Sequence, residues 1–359
     1  MCAERRGGKV VKKKSGCWLI ILCMLISLAG CGKQETALIT GSGETVSQSS
    51  EMAAVTVNDE EISLREWNFY VRMNQMQWEK EELEDEGDEM WSQEVDEEGT
   101  TLEESLKEQV LDTLIQTHIM NQHAEEYQVS LTEEETDKLK ARADSFMKDY
   151  HEALLSYAGA DAAFVEQMLA QTELSGKVAE AMTRDFDPGL SEEDYRREGI
   201  CYVLISTTGL RDEDGNLTPF TAEEVAERTA LAEMLVQKSR AAGSLKIEAE
   251  AEGLTPIESS MGAENGFDGQ EPLMLDAARR LEVGEISDPV ETEEGWFIVQ
   301  HTSDYDEDGT EYWKEYLTEQ AKEEECSRIY EEWKGAADIT FHQDVLDRVE
   351  VKTVMKDLL

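Results

Sequence analysis

The chain has 359 residues and a formal net charge of −48, with 81 acidic side chains against 33 Lys and Arg. Such an excess of acid excludes nucleic acid as a partner, because phosphate binding needs clustered cations. The hydrophobic fraction of 40% excludes wholesale disorder, and the length leaves room for two domains with cores of their own.

The sign of the charge reverses at the start of the chain. Basic residues there precede the apolar run Trp18–Ala29, which ends at Gly30 and Cys31. This order is typical of an export signal, and the run is short for a membrane-spanning helix. The junction LAGC resembles the lipobox of bacterial lipoproteins, which implies cleavage before Cys31 and lipid attachment to its sulfur. The alternative is an uncleaved signal anchor.

We therefore expect residues 1–30 to be a signal peptide and residues 31–53 to be a flexible tether, since Gly, Ser and Thr abound there. The expected location is the cell membrane, with the chain lipid-anchored on the extracytoplasmic face. Beyond Cys31 the mature chain keeps Cys201 and Cys326. These either pair, as an exported location permits, or remain buried thiols.

Helix-start signals recur along the body. The alternating stretch Ala54–Ser63 predicts a short strand and a turn at Asn58-Asp59. An acidic segment, residues 81–98, predicts a loop or a frayed helix end. Capping boxes, in which Glu or Asp follows three residues after Ser or Thr, predict helix starts. They stand at Ser63, Thr101, Thr132, Ser191 and Thr221.

A mixed region interrupts the helices. Asp187-Pro188-Gly189 breaks the helical pattern, and strand-like runs follow at Ile200–Ile205 and Gly295–Val299. The helix that opens at Thr221 is expected to end at Gly243. Helix is expected again over residues 312–333, followed by a strand-like or helical piece within residues 339–351.

Two parts of this pattern resemble known families. The strand YVLIS, and a later motif with Leu281, Gly284, Ser287 and Pro289 leading into Gly295, resemble parvulin-type peptidyl-prolyl isomerase domains. The stretches VTVNDEEIS, VLDTLIQTHIM and LTEEE are similar to the helical chaperone module of the PrsA/SurA-type foldases. The resemblance extends over nearly all of the mature chain.

The resemblance implies an α+β fold. A helical SurA/PrsA-like module is expected from residues 54–196 and 304–359, with a parvulin-like domain inserted at residues 197–303. It also implies unfolded or exported client proteins and X-Pro segments as partners, a membrane contact through the lipid anchor, and a homodimer by analogy. No cofactor is implied.

The resemblance also implies where a site lies. The two histidines of the family fall on Tyr202 and Phe297, and its threonine falls on Thr292. Its Cys or Asp position falls within Leu254–Ser260, which holds neither residue. Candidate substrate-binding residues are Leu204, Phe267 and Met274.

Isomerisation of an X-Pro bond needs an apolar proline pocket and a few aimed hydrogen-bonding groups. Tyr202 either donates such a hydrogen bond or packs at the rim of the core, and Phe297 has no polar atom to offer. The first hypothesis is therefore a foldase that assists exported proteins, with parvulin-type isomerase activity. The alternative is a catalytically inactive holdase that keeps the parvulin fold for peptide binding.

A second kind of site is suggested by residues 304–315. Their sequence DYDEDGTEYWKE has the spacing of a calcium-binding loop, with Asp304, Asp306, Asp308 and Glu315 as candidate ligands. A strand precedes this stretch, whereas a helix enters the usual calcium loop. The alternative is an acidic turn at the start of the last long helix.

Overall fold

The computed structural model describes residues 51–82, 88–211, 217–262 and 270–352, together with Met355. The expected signal peptide, most of the tether, Cys31 and Phe267 lie outside these residues. Among the described helices, none is long and apolar enough to cross a membrane.

The fold is α+β, and the chain divides into two compact units. One unit spans Asp187–Lys322, and the other joins the residues up to Phe186 with those from Glu323. In chain order the described elements are β1 (Ala53–Val57), β2 (Glu60–Ser63), α1 (Leu64–Glu82), a short 3-10 helix (Asp88–Ser92), α2 (Leu102–Gln122), α3 (Glu133–Asp149), α4 (Glu152–Ala158), α5 (Ala162–Thr183), α6 (Glu192–Tyr195), β3 (Glu198–Ser206), β4 (Gly209–Arg211), β5 (Leu217–Pro219), α7 (Ala222–Ala242), α8 (Leu245–Ala251), β6 (Ile257–Met261), α9 (Pro272–Ala278), β7 (Val290–Glu291), β8 (Gly295–Ser303), α10 (Glu307–Ala336), β9 (Ile339–Phe341) and α11 (Gln343–Leu346).

A small antiparallel sheet with strand order β2-β1-β9 lies in the first unit. Val55 of the central strand pairs with Ile62 on one side and with Phe341 on the other. The β1–β2 turn has Asn58 at φ 56°, a left-handed conformation that Asn adopts more readily than most residues. The sheet therefore joins the start of the described chain to a strand almost three hundred residues later.

Helix α2 shows how the capping boxes define the helical module. The Thr101 hydroxyl accepts from the backbone N–H of Glu104, and the Glu104 carboxylate accepts from the backbone N–H of Thr101. The same reciprocal pair opens α3 at Thr132 and α7 at Thr221, so these predicted helix starts are confirmed. One face of α2 enters the core through Leu106, Val110, Leu114, Ile115 and Ile119.

The acidic segment after α1 is more structured than its composition predicts. Its 3-10 helix buries Met90 and Trp91. The Trp91 indole N–H donates to Oε1 of the buried Glu79 at 3.2 Å. The prediction of a loop or frayed end is wrong for this part, because one large aromatic side chain anchors it.

The second unit is built around an antiparallel sheet of order β6-β3-β8-β7. Val203, Ile205 and Ile298 form one apolar cluster with residues of α7 and α8. The two predicted strands, β3 and β8, are confirmed at the centre of this sheet. Strand β6 had no sequence signal strong enough to predict it, since Glu258, Ser259 and Ser260 make up most of it.

Candidate functional site

Side chains point alternately to the two faces of the sheet along its two central strands, and this brings most of the expected site residues onto one face. Ile200, Tyr202 and Leu204 of β3 lie in one apolar cluster with Phe297 and Val299 of β8. Tyr202 pairs with Val299, and Leu204 pairs with Phe297. The buried Met274 of α9 belongs to the same cluster. We call these six residues the Tyr202 face.

The Tyr202 face has a buried floor and a partly open rim. Met274 is fully buried and Phe297 is 6% exposed, whereas Tyr202 and Leu204 are half-buried. The ring centroids of Tyr202 and Phe297 lie 6.1 Å apart with an interplanar angle of 45°. Burial raises the pKa of the Tyr202 hydroxyl, so it remains protonated at neutral pH and can donate a hydrogen bond.

Neighbouring apolar residues extend this rim. Ile257 of β6 pairs with Tyr202 and is 46% exposed. Val290 of β7 pairs with Phe297 and packs half-buried against the same cluster. An apolar surface that is partly open and has a packed floor is suited to covering by a peptide.

Polar groups beside the Tyr202 face come from residues that the sequence analysis did not single out. Ser259 pairs with Ile200, and its hydroxyl accepts a 2.9 Å hydrogen bond from the Gln270 amide. Ser259 falls within the stretch that the resemblance assigned to a Cys or Asp. The register between β6 and β3 brings it there, and that register is not visible in either segment alone.

Thr292 lies in the β7–β8 turn and outside the apolar cluster. Its hydroxyl donates to the carbonyl of Gly295 at 2.9 Å and accepts from the N–H of Glu294 at 3.3 Å. These bonds fix the turn that leads into β8. In the described structure Thr292 therefore positions the strand that carries Phe297.

The stretch proposed to bind calcium is folded differently from a calcium loop. Helix α10 begins at Glu307, so Asp308 and Glu315 both lie on a helix. Asp306 instead accepts from the N–H of Gly309 at 3.2 Å. Across the part of the chain that the structure describes, no three His, Cys, Asp or Glu residues are grouped to hold a metal ion. The arrangement matches the alternative, an acidic turn that starts the helix.

The two cysteines of the body are free and buried. Burial raises the pKa of Cys201 to about 11 and that of Cys326 to about 12. Both thiols are therefore protonated at neutral pH and unreactive as nucleophiles. Cys326 contacts the sulfur of Met182 at 3.9 Å. The structure shows the buried-thiol alternative.

The fold and this site define a helical protein with a small sheet domain that presents an apolar, peptide-sized surface. Residues 9–152 match the family model described as the SurA-like N-terminal domain. No curated protein sequence matches the chain.

Solved structures of foldases and chaperones are similar to the chain. A peptidylprolyl isomerase PrsA from Bacillus cereus is 18% identical, with 72% of this chain and 91% of that chain covered and a TM-score of 0.30. The foldase protein PrsA from Lactococcus lactis is 14% identical, with coverages of 83% and 99% and a TM-score of 0.35. A structure from Campylobacter jejuni, described among SurA-like chaperones, is 11% identical, with coverages of 80% and 98% and a TM-score of 0.27.

Proposed function

We propose that the protein is a lipid-anchored chaperone on the extracytoplasmic face of the cell membrane and assists the folding of exported proteins. The match to the SurA-like N-terminal family model supports a chaperone role. The LAGC junction supports export and lipid attachment at Cys31. The main support for client binding is the Tyr202 face, because it offers a partly open apolar surface over a packed floor.

Residues 197–303 are proposed to form a parvulin-like domain that binds proline-containing segments. A small antiparallel sheet with helices supports this interpretation, as does the motif from Leu281 to Gly295. The half-buried aromatic ring of Tyr202 gives a proline ring a flat apolar surface to pack on, and the buried Phe297 ring belongs to the floor of that surface. The compact unit that contains this domain is longer, spanning Asp187–Lys322.

The geometry supports binding more strongly than catalysis. Phe297 is buried and lacks a polar atom, and it occupies one of the two positions at which the resembling family has histidine. Tyr202 occupies the other position and offers one hydroxyl. A catalyst of this reaction needs aimed hydrogen bonds as well as an apolar pocket. The holdase is therefore the favoured function.

Client binding is tested by a matched pair of substitutions. Leu204→Asp places a charge on the Tyr202 face, whereas Leu210→Asp places the same charge on a side chain of β4 that is 62% exposed. We expect Leu204→Asp to weaken binding of a proline-containing unfolded peptide about tenfold, since burial of one Leu side chain contributes about 1.5–3 kcal/mol. Fluorescence anisotropy measures the affinity, and circular dichroism verifies folding. Equal affinities of the two folded variants would contradict the assignment.

Isomerase activity is the second candidate, favoured by the Tyr202 hydroxyl that stays protonated and able to donate. A protease-coupled assay on the mature chain measures proline isomerisation directly. A rate at the uncatalysed background, with client aggregation still suppressed, establishes the holdase. A rate above background that falls in Tyr202→Phe establishes the isomerase and makes the hydroxyl part of its site.

A further inference from the structure

The Ser259 side chain lies on the same side of the second unit's sheet as the Tyr202 face. Ser259 of β6 pairs with Ile200 of β3, and Ile257, two residues earlier on β6, pairs with Tyr202. Directly paired residues of antiparallel strands point to the same side, so Tyr202 and Ser259 are diagonal neighbours, about 7–8 Å apart along the sheet. Ser259 is half-buried, as Tyr202 is. Both hydroxyl-bearing side chains therefore border the open side of the face.

The Gln270 side chain determines how the Ser259 hydroxyl can act. Gln270 Nε2 is 2.9 Å from the Ser259 hydroxyl oxygen and 3.4 Å from the Ser260 carbonyl oxygen. A carbonyl oxygen only accepts hydrogen bonds, so the Gln270 atom that faces both groups is the amide nitrogen. The Ser259 oxygen is therefore the acceptor in its bond with Gln270, and its own hydrogen points elsewhere.

The Ser259 hydroxyl is thus left with a hydrogen to donate. A serine hydroxyl has one hydrogen and two lone pairs, and Gln270 occupies one lone pair. Within the part of the chain that the structure describes, no acceptor takes the hydrogen. Tyr202 carries a second hydroxyl on the same side of the sheet, and its raised pKa keeps it protonated. The open side of the face therefore offers hydrogen-bond donors.

A proline-containing segment matches a surface that offers donors. Proline has no N–H, whereas its own carbonyl and that of the preceding residue remain as acceptors. We infer that Ser259, oriented by Gln270, donates a hydrogen bond to one of these two carbonyls when a client proline packs on Tyr202. The inference rests on the proposed client binding and adds the polar contact that fixes the client backbone. Ser259 is then a binding residue, and Gln270 is a positioning residue.

Ser259→Ala and Ser260→Ala form a matched pair, because the same atom is removed from neighbours whose side chains point to opposite sides of the sheet. The probe is a fluorescein-labelled unfolded peptide with a single Leu-Pro bond. We expect Ser259→Ala to bind it about fivefold more weakly than the unmodified chain, since one hydrogen bond is lost, and Ser260→Ala to bind it equally well. Fluorescence anisotropy measures the affinities, and circular dichroism verifies folding. Two folded variants of equal affinity would overturn the inference.

Reversal of the Gln270–Ser259 hydrogen bond tests the direction of donation. In Gln270→Glu an ionised carboxylate, which only accepts, replaces the amide and takes the hydroxyl hydrogen for itself. We expect this variant to bind the probe about as weakly as Ser259→Ala, and the double variant to bind no more weakly than either single variant. Losses that add in the double variant would overturn the inference, because Gln270 would then act independently of Ser259.

A third measurement needs no variant and identifies the client carbonyl. Two further probes carry a thioxo group, one at the residue before proline and one at proline itself, because sulfur is a weaker acceptor than oxygen. We expect one of them to bind the unmodified chain about fivefold more weakly than the parent probe, and to bind Ser259→Ala no more weakly still. If both bind the unmodified chain like the parent probe, the inference is overturned, even where Ser259→Ala does not fold.

Leu204→Asp distinguishes failure of this contact from failure of the proposed function. Weaker probe binding by Leu204→Asp, with equal affinities of Ser259→Ala and Ser260→Ala, would refute the Ser259 contact alone. Unchanged probe binding by Leu204→Asp would refute client binding at the Tyr202 face, and the Ser259 contact with it.

Discussion

His118 of α2 faces carboxylates from two other elements. Its Nε2 is 3.0 Å from Oε1 of Glu66 on α1, and its Nδ1 is 3.3 Å from Oε2 of Glu60 on β2. Burial alone lowers the pKa of His118, but hydrogen bonds and charge from Glu66 and Glu60 outweigh it and raise the pKa above its ordinary value. When it is protonated, the imidazole forms ion pairs that link the β1–β2 hairpin to two helices.

We expect this link to make the first unit less stable as the pH rises. A folded-state pKa above the unfolded value means that the stabilisation is fully present below the unfolded pKa, about 6.5, and is lost as the pH rises through the folded value. His118→Gln should remove this part of the pH dependence. Urea unfolding over a pH series measures the effect, with the exposed His151→Asn as control. A slope unchanged by His118→Gln contradicts the assignment.

The residues of the Tyr202 face differ in how far sequence could predict their contact. Tyr202 and Leu204 share a face because strands alternate, and the family resemblance places Phe297 opposite them. Ser259 and Gln270 could not be found in this way, because their position depends on how β6 pairs with β3, which places Ser259 opposite Ile200. Local patterns define faces, whereas strand register depends on packing of the whole unit.

At the scale of single elements, the glycine at the start of β8 is under a severe steric constraint. Gly295 has φ 142°, and a Cβ there would lie 2.3 Å from the carbonyl oxygen of Ile205. Gly243, which ends α7, also has positive φ, at 75°, but a Cβ there meets nothing within 4 Å. A comparison of substitutions at the two positions therefore distinguishes the cost of steric overlap from the cost of the left-handed conformation alone.

We expect Gly295→Ala to destabilise the second unit by about 3 kcal/mol or more, because strain and overlap add. Gly243→Ala should cost only about 1 kcal/mol, since only the left-handed conformation opposes it. Chemical unfolding followed by tryptophan fluorescence compares the two, and Trp296 next to Gly295 reports locally. Equal losses of stability would show that the turn relaxes around the new methyl group.

Elements with complete start signals were predictable, and those without were not. The boxes at Thr101, Thr132 and Thr221 satisfy free backbone groups within a few residues, so helix formation there depends on local chemistry. The 3-10 helix around Trp91 depends instead on a partner in α1. The stretch from Asp304 to Glu315 has calcium-loop spacing, but the Asp306 carboxylate accepts from the N–H of Gly309 and so caps a helix that begins at Glu307.

At the scale of the whole molecule, the two units differ in continuity. The second is one uninterrupted stretch, Asp187–Lys322, whereas the first needs two separated stretches. From the later stretch the first unit takes β9, which pairs with β1, and the buried Val345, Val349 and Val351. The indole N–H of Trp67 donates to the carbonyl of Leu346 at 3.2 Å. An insertion of this kind is what the sequence resemblance implies.

This difference in continuity predicts opposite behaviour of two fragments. Residues 187–322 should fold alone, because their strands pair within the fragment and form their own apolar clusters. Residues 51–186 should lack cooperative unfolding, since removal of the later stretch leaves β1 without one neighbour and opens cavities that each cost about 2–5 kcal/mol per large side chain. Adding residues 323–359 as a separate chain should restore the transition. Urea unfolding followed by circular dichroism is the measurement. A cooperative transition of residues 51–186 alone would contradict the prediction, because it would show that their core is complete without the later stretch.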